Sequence, residues 1–213
     1  MVSAALLLAL VLPVCTVAKG PPNKPTWPSK FFVNFQEFYS DGGGDNHEGG
    51  YALDANYVDN KTGIKGAQVI YRGITEDEAC NAVNPGTSCV TLAVAGQRYL
   101  LFEDGTPTCC RCCSWKNGCG PLMPKWTENA TYTGTKTVRG EICYSYSIPG
   151  VENNSLSVRA SDGMICELEN GGNVTDFFEF IPATFKDTIP ADTFNVPASC
   201  DNWCGPHAEC KLG

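Results

Sequence analysis

Thirteen cysteines in 213 residues constrain this chain more than any other feature. One of them, Cys15, sits inside an apolar leader. Twelve remain: Cys80, Cys89, Cys109, Cys110, Cys112, Cys113, Cys119, Cys143, Cys166, Cys200, Cys204 and Cys210. The number is even, and an oxidising compartment makes disulfides the natural state of thiols at this density. Six bridges admit about ten thousand pairings, so connectivity cannot be read from sequence.

The leader supplies that compartment. Ala4 to Val14 is apolar, broken only by Pro13, and the short residues Thr16, Val17 and Ala18 follow it. This is the pattern of a signal peptide over residues 1–18, cut after Ala18. The run falls short of the roughly 20 apolar residues that span a bilayer. The expected product is secreted and extracellular. Four sequons agree with export. They begin at Asn60, Asn129, Asn153 and Asn173, and each is a candidate glycosylation site. A net charge of −8 argues against nucleic acid as a partner, because phosphate binding wants a basic face.

Residues 19–30 carry four prolines and read as an extended arm. Residues 31–200 read as a single β-rich domain, and residues 201–213 as a cysteine-containing tail. Within the domain, short alternating stretches are separated by turn residues, the pattern of an antiparallel sheet. The expected strands are 31–39, 51–58, 66–72, 89–95, 98–102, 130–138, 141–148, 155–159, 164–168 and 175–181. Gly96-Gln97 is the expected turn of one hairpin, and Arg139-Gly140 of another. Residues 75–83 are the best helix candidate, with Thr75 as cap and Glu78 completing a capping box. Residues 105–124, dense in Cys, Pro and Gly, are expected to be disulfide-held loop. Phe185 and Phe194 are expected anchors of an irregular segment before Cys200.

Residues that carry chemistry are few. The run Cys109-Cys110-Arg111-Cys112-Cys113 could crowd thiols round a metal. Zinc sites, however, want two separated ligand pairs, and neighbouring cysteines more often go to different partners. No metal site is expected there. The acidic loop Asp41 to Asn46 offers oxygens to calcium but lacks the EF-hand spacing, so a solvated turn is the better reading. Neither His47 nor His207 neighbours a catalytic signature. No catalytic residue is expected and the chain is not read as an enzyme. Aromatic residues concentrate on the first and last strands. Alternation puts Phe32 and Phe38 on one face of the first strand, and Phe31 and Phe35 on the other. Such residues fill a core or line a pocket for an apolar ligand.

From Cys119 onward the chain resembles a known family. Cys119-Gly120-Pro121-Leu122, Pro124-Lys125-Trp126 and Ala130-Thr131-Tyr132-Thr133-Gly134 are similar to the central signature of secreted ependymin-related proteins. Gly140, Cys143, Phe177-Phe178-Glu179-Phe180, and Phe194-Asn195-Val196-Pro197 before Cys200 follow in the same order. The resemblance implies a LolA-like fold, a mainly β half-barrel of one curved antiparallel sheet with one or two short helices. It also implies an apolar cavity for a lipid-like ligand, homodimers, and calcium association in some members. The cysteines at 109–113, Cys204 and Cys210 depart from that pattern.

Three functions follow. The leading expectation is a secreted glycoprotein holding an apolar or lipid-like ligand against its curved sheet. The candidate lining residues are Phe32, Phe38, Tyr57, Trp126, Tyr132, Tyr144, Phe178 and Phe180, and no cofactor is expected. The rivals are an extracellular matrix or surface interaction protein without a small-molecule ligand, and a hydrolase with an unrecognised site.

Overall fold

The computed structural model describes residue 21 and residues 24–39, 47–72, 78–103, 108–150, 154–171 and 176–205. The leader, Thr75, Asp41 to Asn46, Asn153, Asn173, His207 and Cys210 lie outside the described residues.

The described residues form eleven strands: β1 (Lys30–Tyr39), β2 (His47–Val58), β3 (Lys65–Arg72), β4 (Cys89–Val94), β5 (Gln97–Phe102), β6 (Cys109–Ser114), β7 (Thr131–Val138), β8 (Glu141–Ile148), β9 (Asn154–Arg159), β10 (Ile165–Asn170) and β11 (Asp176–Phe180). They make one open, curved antiparallel sheet in the order β6-β5-β4-β3-β2-β1-β11-β10-β9-β8-β7. The chain therefore lays strands outward from β1 in one direction. It then crosses to the far edge and returns strand by strand until β11 closes against β1. Five strands flank β1 on each side.

Two hairpins show how local sequence sets register. Arg139-Gly140 turns with φ of 50° and 82°, as the sequence predicts. The β4–β5 turn uses Ala95-Gly96, at 54° and 82°, one residue earlier than expected. Two successive positive φ values are the type I′ geometry that matches strand twist. Glycine must therefore sit second in the turn, and Gln97 begins the next strand.

One segment differs in kind. Cys109–Ser114 is a strand, not a loop, and pairs with β5 from Leu101↔Cys109 to Gln97↔Ser114. Cysteine carries no strand signature of its own, but alternation aims Cys109 and Cys110 at opposite faces. Cys109 bonds Cys200 and Cys110 bonds Cys204. Cys113–Cys119, Cys80–Cys89 and Cys143–Cys166 complete the described bridges, and Cys112 is disulfide-bonded too. Among the described residues the α-helix is one turn, α1 (Glu78–Asn81), and four short 3-10 turns accompany it.

The sheet's two faces are treated differently. Phe31, Phe35, Tyr51, Leu156, Phe178 and Phe180 meet on one face and are all at most 1% exposed. The proline-rich arm closes this face by sinking Trp27 into it. The indole packs edge-on against Phe31, Tyr51 and Trp126 at 5.3–5.7 Å, and its N–H donates to the Leu122 carbonyl at 2.9 Å. Full burial of such a ring stabilises by about 2–3 kcal/mol. The opposite face is most apolar from β1 to β5, where Ala52, Val69, Leu92 and Val94 lie beneath Ile189, Phe194 and Val196, and Tyr99 and Leu101 pack against the same cluster. Toward β7 it turns polar: Ser145 and Ser157 share a hydrogen bond, and Lys136 pairs with Glu167.

Candidate functional site

Among the described residues, the centre of the core face leaves no room for a ligand. A void of about 10 Å³ remains among Tyr51, Gln68, Arg98, Leu122 and Phe178, about enough for one water. Charge is buried beside it. Arg72 pairs with Glu37 and with Asp176, the latter at 3.4 Å, and its guanidinium lies 5.1 Å from the centre of the Phe178 ring. Burial, then the Arg72 charge, lowers Arg98 to about 10, and burial raises the Tyr51 phenol well above its ordinary value. Tyr51 and Arg98 border this small void, whereas Arg72 borders a much larger hollow.

A larger hollow lies on the opposite face. After β11 the chain stays beside β1, where Phe32 and Lys186 exchange two backbone hydrogen bonds of 2.8 Å. It then crosses the sheet, and Phe194 is buried as the sequence predicts. Between residues 186–193 and the ends of β1 to β4 lies a trough of about 800 Å³, a size typical of small-molecule sites, roughly 300–1,000 Å³. Phe32, Gly50, Tyr71 and Val90 are among its lining residues, and Pro190, Thr188 and Thr193 contribute from the crossing segment.

Gly50 explains the shape of the floor. A Cβ there would stand 3.2 Å from the Phe32 ring and 3.3 Å from the Tyr71 ring. Lacking one, the strand lets both rings settle over its backbone and offers a broad apolar surface. Tyr71 is held by a hydrogen bond to the Thr193 side chain, and burial raises its phenol pKa. Glu48, Glu103 and Lys186 line the same trough and are exposed to water. The Lys186 ammonium lies 5.9 Å from the centre of the Phe32 ring. An apolar body can rest on such a floor while a polar end stays in solvent.

The eight aromatics singled out from sequence do not converge. Phe32 lines the trough. Phe38 is half-buried opposite Phe177 on the neighbouring strand. Tyr57 packs on Phe194 at 5.2 Å, under the crossing segment. Phe178 and Phe180 lie in the core, 4.5 and 6.4 Å from Phe35, because register puts them on its face and not on that of Phe32. Trp126 is half-buried against the core, beside Trp27. Tyr132 and Tyr144 contact each other at 6.1 Å near the far edge. Tyr144 also lines a second hollow, of about 630 Å³, with Pro25, Met164 and Phe185. Gly50, Tyr71, Val90 and Lys186 were missed. Nothing local announces that residues 186–193 will form the trough's other wall.

Of the four sequon asparagines, Asn60 and Asn129 are exposed and described. Among the described residues no group of three or more His, Cys, Asp or Glu is placed to hold a metal ion.

No protein-family model matches the chain, and no curated protein matches it. Among solved structures, MucB aligns over 82% of this chain at 10% identity, with a TM-score of 0.40. This chain covers 60% of the length of that MucB chain. The MucA/MucB complex of Pseudomonas aeruginosa gives a TM-score of 0.40 at 12% identity, over 81% of this chain and 57% of that one. A LolA superfamily protein of Nitrosomonas europaea gives 0.34 at 11% identity, over 80% of this chain and 92% of that one.

Proposed function

We propose that this chain is a secreted, disulfide-rich glycoprotein that binds an apolar, lipid-like molecule in the trough between β1–β4 and residues 186–193. One observation carries the reading. The centre of the core face is filled by the protein's own side chains and its margin keeps a hollow of about 630 Å³, while the opposite face keeps a larger one of about 800 Å³ floored by Phe32 and Tyr71 across Gly50. Each 100 Å² of apolar ligand surface covered there would contribute about 2.5 kcal/mol before the costs of association. The resemblance to ependymin-related proteins over residues 119–200 agrees with this reading, and the bridges agree with an oxidising compartment. On this reading the chain is a binder and not a catalyst.

Native mass spectrometry of protein purified from its own host tests it. The expected spectrum shows one apolar adduct per chain, released by organic solvent. Val90→Trp, which puts an indole into the trough, should abolish the adduct. Ile142→Trp, at a residue 62% exposed near the far edge, should leave it. A wild-type protein without adduct, or an adduct indifferent to Val90→Trp, would overturn the reading.

A further inference from the structure

An open sheet has two edges, and this molecule deals with them unequally. At β6 the chain covers its own edge. The Arg111 N–H donates to the Asn202 carbonyl at 2.7 Å, the Cys204 N–H donates to the Arg111 carbonyl at 3.0 Å, and two disulfides hold that tail in place. At β7, among the described residues, no backbone hydrogen bond arrives from outside the β7–β8 ladder. Eight residues, Thr131–Val138, form that margin: five are exposed, Gly134 and Lys136 are half-buried, and Val138 is buried. Tyr132 is 41% exposed and Ile142, on the next strand, 62%. A bare edge of this length invites pairing with another chain. The usual deterrents are few. A register shift separates Tyr132 from Gly134, and the one lysine, Lys136, is engaged by Glu167.

The sequon Asn129-Ala130-Thr131 ends on the first residue of this edge. Ala130 is 9% exposed and its N–H donates to the Thr127 carbonyl at 3.0 Å. The backbone is thus pinned on the inside, while Asn129 stays in solvent at the mouth of the free edge. Asn60, by contrast, lies in the turn between β2 and β3, two interior strands.

We propose that Asn129 is N-glycosylated and that its glycan caps the β7 edge, preventing strand-to-strand pairing with a second copy of this chain. The inference rests on the export assumed in the proposed function. In the transfer, the Asn129 amide nitrogen bonds to C1 of an oligosaccharide carried on a lipid pyrophosphate. The C1–O bond to the pyrophosphate breaks, the amide gives up one proton, and the lipid pyrophosphate leaves. The bulky, hydrated sugar then occupies the space a second strand would need.

The test uses the full chain secreted from cultured eukaryotic cells. Enzymatic deglycosylation in heavy-oxygen water should mark Asn129 as formerly occupied, and light scattering should report the mass of a single chain. Asn129→Gln and Thr131→Ala should each shift the mass to two chains or more. Thr131→Ser, which keeps the sequon, should stay at one chain, as should Asn60→Gln. Adding Thr135→Lys to the Asn129→Gln protein should restore the single-chain mass by charging the edge. Sugar on Asn60 but none on Asn129 would overturn this inference and leave export standing. So would an Asn129→Gln protein that remains single-chain.

Discussion

The β1–β6 half and the β7–β11 half share one hydrogen-bonded sheet yet are held by different means. In β4 five of six residues are buried, whereas in β7 one of eight is. A strand apolar on both faces needs a cover on both faces. Around β1–β6 those covers are α1, residues 115–127 and residues 186–204, which have little regular structure of their own. Disulfides to Cys80, Cys119, Cys200 and Cys204 pin them down. In β7–β11 the second face is more polar, with Lys136, Ser145, Ser157 and Glu167 beside the buried Val138, Cys143 and Cys166, and the one bridge, Cys143–Cys166, joins the two strands flanking β9. Bridges therefore accumulate where irregular chain must be kept against a sheet. The trough opens at the boundary of one of these tethered covers.

Removing bridges should break the contrast most sharply. Cys109 and Cys200 are 91 residues apart, and the loop-entropy relation gives their bridge about 4.6 kcal/mol. Cys143 and Cys166 are 23 apart, which gives about 3.4 kcal/mol. Paired Cys→Ser replacements compared by denaturant titration should fall in that order. The first pair alone should loosen the wall formed by residues 186–193, seen as faster amide exchange there.

A smaller effect separates an interior strand from the edge strand β7. Leu92→Ala removes a side chain 1% exposed beneath Phe194 and should cost about 2–5 kcal/mol. Thr135→Ala, at an exposed position of β7 across from Tyr144, should stay within about 0.5 kcal/mol. Equal losses at the two sites would erase the distinction.

The smallest effect is electrostatic. Burial raises the Glu167 carboxyl above its ordinary 4.5, with Lys136 opposing. The folded state then holds this proton at a pH where the unfolded chain has released it. Stability from this group is present below 4.5 and fades as pH rises through the folded pKa. Glu167→Gln should flatten the dependence of melting temperature on pH in that window. A slope unchanged by the substitution would place its origin elsewhere.

Much of the sheet was legible. Ten runs were marked as strands and each matches one to within a few residues, because alternation survives in sequences such as Phe31 to Tyr39. Strand β6 was hidden because cysteine, proline and glycine dominate residues 105–124, and cysteines are chosen for their bonds more than for strand fit. Residues 19–30 read as an extended arm, yet Trp27 within them is buried. Four prolines forbid regular structure but do not forbid burial. The trough was half legible: alternation put Phe32 on the correct side of β1, but its other wall comes from residues about 155 positions later. Periodicity tells which residues share a face; it does not tell what will lie across from them.

The bond partners of β6 impose a timetable. Polypeptides emerge amino-terminus first, so Cys109 and Cys110 are made 91 and 94 residues ahead of Cys200 and Cys204. Through that interval the two sulfurs stand beside Cys112 and Cys113, each able to take a neighbour or a passing thiol in place of its own mate. Correct maturation therefore calls for an isomerase, or for early engagement of Cys113 with Cys119, six positions on. The stretch made later is the one that fastens the seam.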